Sequence, residues 1–137
     1  KNKMTDKLQN IMTLREKQSV FLLNAAKLIQ WAFENGFELT GGELLRTKDQ
    51  QTLYFEGKTL IKIGMQTHLA ETRQLSKTMN SRHLDKLAID LNLFISGVYT
   101  TKAEYYKPLG EYWKTLHPDN VWGGDWGWDA NHFEQKP

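Results

Sequence analysis

The sequence predicts an α+β domain. Three observations point there: an N-terminal stretch whose apolar residues recur at helical spacing, an alternating octet "LAIDLNLF", and a Gly- and Trp-rich tail that breaks into short extended pieces. Helices mixed with short antiparallel strands define that class. The 137 residues are expected to form a single domain, 1–137. A domain of this size buries roughly two-thirds of its unfolded surface. No repeat, low-complexity segment or linker interrupts the chain.

The elements follow in order. From Thr5 to Asn35 the sequence favours helix, with Leu22, Ala25, Ala26, Ile29 and Phe33 on one apolar face. Gly36 stands where a C-terminal cap belongs. "FELTGGELLRT", Phe37 to Thr47, reads as extended, with a bulge or turn at Gly41-Gly42. "KDQQTLYFEG" predicts a short helix ending at Gly57. Lys58 to Asn80 is polar without a clean period and reads as a long loop carrying a helical piece. Leu87 to Phe94 alternates as a strand, and "SGVYT" supplies a turn and a return strand. "KAEYYKPLGEYWKTLH" predicts a helix interrupted or started near Pro108. The tail "NVWGGDWGWDANHFE" predicts a strand, then a tight turn bearing Asp129 and His132.

Composition narrows the function. Apolar residues at 39% and charged residues at 25% fit a globular protein. The net charge of +2 falls short of a nucleic-acid-binding stripe, yet suits an anionic polymer as target. With no cysteine, disulfides, cysteine zinc fingers and thiol nucleophiles are excluded. No apolar run reaches bilayer length. Neither nucleic acid nor membrane insertion is expected, and the chain is expected to be a monomer. "KNKMTDKLQN" has the charge of a signal n-region without an h-region. Met4 therefore reads as the natural start, with residues 1–3 added ahead of it and no export signal.

Any metal site must then use histidine and carboxylate. Catalytic zinc commonly takes three such ligands and leaves a fourth position open; the candidates are His83, Asp90 and His132. His83 and Asp90 are seven residues apart, an odd separation that a continuous strand would send to opposite faces. Their convergence requires a bend between them. Asp129 and His132, three apart, fall on one side of a single turn. A carboxylate near the ion but not bound to it can carry a proton from water to a leaving amine, which singles out Asp129. A developing oxyanion needs a further positive partner: Arg46, with Arg73 as the weaker choice. Each residue also has a plainer reading: Asp90 on the surface of its strand, His132 packed among tryptophans, Arg46 covering an apolar face with its stem. His68 and His117 carry no such pattern, and His117 suits a helix end.

Three stretches together resemble a family. "SRHLDKLAID" resembles the Ser-x-His-x6-Asp motif of the zinc peptidases that cut bacterial cell-wall peptides: D-alanyl-D-alanine carboxypeptidases, D-Ala-D-Ala dipeptidases and phage L-alanyl-D-glutamate endopeptidases. "WGGDWGWDANHFE" resembles that family's closing segment, and "LLRTKDQQ" its Arg-Thr-x-x-x-Gln stretch. The resemblance covers about Leu39 to Glu134, in the family's order. It implies a small hedgehog/DD-peptidase-like α+β domain whose antiparallel sheet carries zinc on His83, Asp90 and His132. It further implies Asp129 as base and Arg46 as the residue steadying a substrate carbonyl or carboxylate. Ser81 is implied as a hydrogen-bond donor to substrate or ligand, and Glu134 as support for the last ligand. One departure stands out: Lys86 replaces the family's usual glycine. If that position is left-handed, lysine carries about 1 kcal/mol of strain or more.

The expected activity is zinc-dependent hydrolysis of peptidoglycan stem peptides. An L-alanyl-D-glutamate endopeptidase of phage or prophage endolysin type, held in the host cytoplasm before release to the wall, is preferred. A D-alanyl-D-alanine carboxypeptidase or dipeptidase is the alternative. A non-catalytic zinc-containing wall-binding module is the rival from another class, and a spare carboxylate at Asp129 argues against it. The aromatics Trp122, Trp126 and Trp128 suggest core or a carbohydrate surface, with Trp126 taken as a cleft residue.

Overall fold

The structure is a computed structural model and describes residues 11–137. Helix α1 spans Leu14–Glu34. It begins where Thr13 Oγ1 accepts from the Glu16 backbone N–H (3.2 Å) and the Glu16 carboxylate accepts from the Thr13 N–H (3.1 Å), a reciprocal cap. The expected start at Thr5 lies outside the described residues, and residues 11–13 are not helical. The expected apolar face is also corrected. Phe21, Ala25, Leu28 and Ala32 are buried, whereas Leu22 and Phe33 are exposed. The helix carries apolar stripes one residue apart, about 100° around the axis. Contacts choose between them: Phe21 meets Trp113 edge-on at 5.6 Å.

The strands are β1 (Glu38–Gly41), β2 (Lys58–Ile63), β3 (Gln66–Glu71), β4 (Ala88–Ile95), β5 (Val98–Thr100), β6 (Asn120–Trp122) and β7 (His132–Gln135). The main sheet runs β1-β4-β7-β6, with β5 also on β4, and its pairings are antiparallel. Helices α2 (Lys48–Glu56) and α3 (Ala103–Leu116) complete the domain. Leu87, Leu91, Leu93, Leu109, Trp113 and Phe133 form the core with α1. The buried Tyr106 hydroxyl donates to Leu91 O and accepts from Leu93 N–H, both at 2.9 Å, tying α3 to β4.

Two further expectations change. Helix α3 runs unbroken through Pro108, because Tyr106, Leu109, Gly110 and Trp113 lock both sides of the proline into the core. Residues 58–80 hold a β2–β3 hairpin rather than a loop with a helical piece. Ile63 pairs with Gln66, leaving Gly64-Met65 as a two-residue turn with Gly64 at φ 63°, which suits the strand twist. The hairpin's apolar side chains are largely exposed, so burial never imposed the alternation that marks a strand. Among the described residues no helix is long and apolar enough to cross a membrane.

Candidate metal centre

The bend required between His83 and Asp90 is present. Ser81 Oγ accepts from the His83 N–H at 3.3 Å and starts a 3-10 turn, Arg82–Asp85. Lys86 ends it in the left-handed region, φ 57°, ψ 36°. The lysine therefore carries the strain expected of a glycine position. Leu87 then enters the core and β4 begins. This reversal brings His83 Nε2 to 3.2 Å from Asp90 Oδ1. On the other side of its ring, His83 Nδ1 lies 3.0 Å from the Leu44 carbonyl. A proton there donates to that carbonyl and leaves Nε2 with a free lone pair.

Asp90 is seated by a bulge at the expected glycine pair. The Gly42 N–H donates to Asp90 O, and the Asp90 N–H donates to Glu43 O, each at 2.8 Å. Two residues of one strand thus face one of the other. A Cβ on Gly42 would lie 2.8 Å from Asp90 O and 2.9 Å from Asp90 Cβ, so the position admits no side chain. From the opposite edge β7 pairs His132 with Asp90 and sets His132 Nδ1 3.3 Å from Asp90 Oδ1. His132 Nε2 donates to Glu134 Oε1 at 2.8 Å. His132 opens strand β7, and only Asp129 sits in the preceding turn, which refines the expected placement. Buried Trp122 holds that turn, its Nε1–H donating to Ala130 O at 2.7 Å.

The donor set fits a divalent ion. With bonds of 2.0–2.1 Å, the ligand atoms of a tetrahedral site stand about 3.3–3.4 Å apart. Asp90 Oδ1 meets its two imidazole nitrogens at 3.2 and 3.3 Å, and all three ligand atoms lie within 4.8 Å of one another. Each histidine has its far nitrogen engaged, one by a carbonyl and one by a carboxylate, as metal-binding imidazoles require. Burial presses the Asp90 carboxyl upward, but hydrogen bonds from His132 and His83 outweigh it and hold the group at about 2. Burial favours neutral His132, yet Asp90 and Glu134 overcome that and raise it to about 9. A proton and an ion would therefore compete for the same nitrogen of His132.

Asp129 stands beside the three, its Oδ2 3.8 Å from His132 Nδ1. Burial raises its pKa, with His132 opposing and the Asp90 charge adding to the rise. Arg46 lies in the same cleft, mostly buried. Its Nε–H and Nη2–H donate to the two Glu43 carboxylate oxygens (2.6 and 3.3 Å), and its Nη1–H donates to Gln51 Oε1 (2.8 Å) and Ser81 Oγ (3.5 Å). Tyr54 lies under the guanidinium at 4.8 Å. Ser81 therefore acts as an acceptor here, toward His83 and Arg46. Trp126 is half-exposed and stacks obliquely on His132 at 5.3 Å. Trp122 is core, while Trp128 is exposed in the cleft wall. Arg73 also lines the cleft. His68, on β3, and His117, capping α3, do not.

Glu43 escaped the sequence reading, and Gln51 entered it only as the last residue of the Arg-Thr-x-x-x-Gln stretch, with no role. Gln51 is wholly buried and donates to Ser76 Oγ at 2.8 Å and to Thr78 O. Its signal was present: Thr47 caps α2, and one helical turn later Gln51 faces back toward Arg46. The whole assembly borders an open cleft of about 670 Å³.

Two imidazoles and a carboxylate around one point, with a second carboxylate beside them, are a donor set that could hold a divalent ion. Residues 74–135, which contain all four of these side chains, match the model of a peptidase family described as D-alanyl-D-alanine carboxypeptidase. Among solved structures, the chain resembles the L-Ala D-Glu endopeptidase ChiX of Serratia marcescens, at 19% identity and a TM-score of 0.59 over 94% of this chain and 92% of that one. This likeness bears on the fold. No curated protein sequence matches the chain.

Proposed function

We propose that the protein is a zinc-dependent peptidase of peptidoglycan stem peptides, cutting the L-alanyl–D-glutamate bond. The observation that carries the reading is the His83–Asp90–His132 triangle at ligand spacing with Asp129 left over. A binding module has no use for that spare carboxylate. The fold resembles that of an L-Ala D-Glu endopeptidase over 94% of this chain, which favours an endopeptidase. The family's own description, D-alanyl-D-alanine carboxypeptidase, makes removal of a terminal D-alanine the second reading.

The three ligands would hold zinc, which supplies Lewis acidity and brings the ionisation of water near pH 7. Asp129 accepts the proton of the attacking water and passes it to the departing amine; its raised pKa lets it hold that proton between the two transfers. Arg46, fixed by Glu43 and Gln51, faces the oxygen on which negative charge develops. Glu134 keeps His132 oriented through the transfer. Purified peptidoglycan is digested with and without chelator, and the fragments are weighed by mass spectrometry. New N-terminal D-glutamate supports the endopeptidase, and free D-alanine supports the carboxypeptidase. Cleavage that persists after metal removal rejects both.

A further inference from the structure

We propose that Arg73 and Lys77, with the face of Trp128, form a binding subsite for a free carboxylate of an acidic peptide lying in the cleft; this rests on the peptidase reading above. The argument starts from the charges that line the cleft. Its acidic groups lie elsewhere in the cleft: Glu43 on Arg46, Asp90 between the two histidines, and Glu134 and Asp129 beside His132, so that none of them pairs with Arg73 or Lys77. Arg46 is likewise committed to Glu43, and Arg82 to Asp85. Among the described residues Arg73 and Lys77 face the cleft without an acidic partner. Two cations from one short chain segment thus line the cleft with no carboxylate against them.

That segment is held in place before any ligand arrives. Gln51 donates to Ser76 Oγ and Thr78 O, on either side of Lys77. The N–H groups of Leu75 and Ser76 donate to Tyr54 O, at 3.0 and 3.3 Å. The Thr72 N–H, next to Arg73, donates to Gly57 O at 2.9 Å. From this pinned segment Lys77 reaches to the opposite wall, its Nζ 4.7 Å above the Trp128 ring. The stack orients the ammonium and leaves its protons for an anion.

The subsite is also within substrate range. From His132 the path runs 5.3 Å to Trp126, 5.8 Å to Trp128 and 4.7 Å to Lys77. That is no more than about five residues of extended peptide, the scale of a stem peptide. Exposed ion pairs are individually weak. Two cations reaching into the cleft from one fixed segment would together prefer a carboxylate over its neutral amide by about tenfold, and less at high salt.

The test uses a synthetic stem tetrapeptide with its carboxylates free or all amidated. Each is titrated calorimetrically into metal-loaded Asp129→Ala protein, so that nothing is consumed. The subsite is supported if the free acid binds about tenfold tighter and if adding Lys77→Met with Arg73→Gln narrows the ratio to about twofold or less. Both substitutions are exposed, and an unchanged melting temperature confirms the fold. Equal binding of acid and amide overturns the subsite. So does a double variant that keeps the ratio or weakens both peptides alike. Parallel digestion by the wild-type protein separates the two readings: an acid preference without cleavage removes the peptidase and leaves the subsite standing.

Discussion

Replacing Gly42 by alanine tests how the candidate metal centre is built. An added Cβ would stand 2.8 Å from Asp90 O and 2.9 Å from Asp90 Cβ, and 3.2 Å from the Asp90 carbonyl carbon. None of these is the end of a flexible side chain; all belong to the strand that carries a ligand. The bulge or β4 must yield by several tenths of an ångström. Overpacking of this kind costs about 1–3 kcal/mol, which for a domain of this length lowers Tm by roughly 4–12 °C. The displacement falls on Asp90, so metal affinity should drop as well, by about 10–100-fold, as when a ligand loses its support. Gly41 provides the control, because a Cβ there meets nothing within 4 Å. Gly41→Ala should stay within about 0.5 kcal/mol of wild type. Thermal unfolding under chelation reads the packing term, and zinc competition with a chromophoric chelator reads the affinity. A Gly42→Ala protein that matches Gly41→Ala in both assays would refute the seating of Asp90 by this bulge.

Three further expectations concern the site. Lys86→Gly relieves about 1 kcal/mol of left-handed strain and returns part of it as freedom of the unfolded chain, so Tm should rise by a few degrees at most; a fall would contradict the strain. In the chelated protein His132, raised from 6.5 to about 9, adds stability that is complete below pH 6.5 and lost as pH rises through 9. Asp90, lowered from 3.8 to about 2, adds stability present above pH 3.8 and lost as pH falls through 2. Asp129, raised, works against Asp90 on the acid side. Zinc needs neutral His132, so the gain in Tm on adding zinc should grow from pH 6 to 9, and a gain independent of pH would contradict the shift. Asp129→Ala should retain zinc by elemental analysis while turnover falls about 10²–10⁴-fold; unchanged turnover removes it as the base.

Several features were legible before folding because they depend on local rules or on a fixed order of residue types. Helix α2 ending at Gly57, the alternating β4 and the break at Gly41-Gly42, which the structure realises as a bulge at Gly42-Glu43, belong here, and the condition set on Lys86 is met by its left-handed φ. The four side chains that meet at this cleft were named from the sequence because a chain without cysteine leaves histidine and carboxylate as its metal donors, and because their stretches resemble one family's motifs in that family's order. The β2–β3 hairpin was not, since its exposed strands carry no burial pattern. Arg46 was found, but its contacts were not: Gln51 appeared only as a motif residue, and Glu43 is an ordinary surface residue type until the fold turns it toward Arg46.

The sequence by itself determined the α+β class, the inventory of groups able to bind a metal or move a proton, and the turns where backbone geometry is demanding. Only the tertiary structure decided which stripe of α1 is buried, because both stripes are apolar and the choice lies with Trp113. It also decided that His83 and Asp90, seven residues apart, meet at 3.2 Å. That separation is the sum of a 3-10 turn, one left-handed residue and pairing from both edges of β4. No local preference encodes such a sum, because each contribution comes from a different part of the chain and acquires its direction only when the sheet closes.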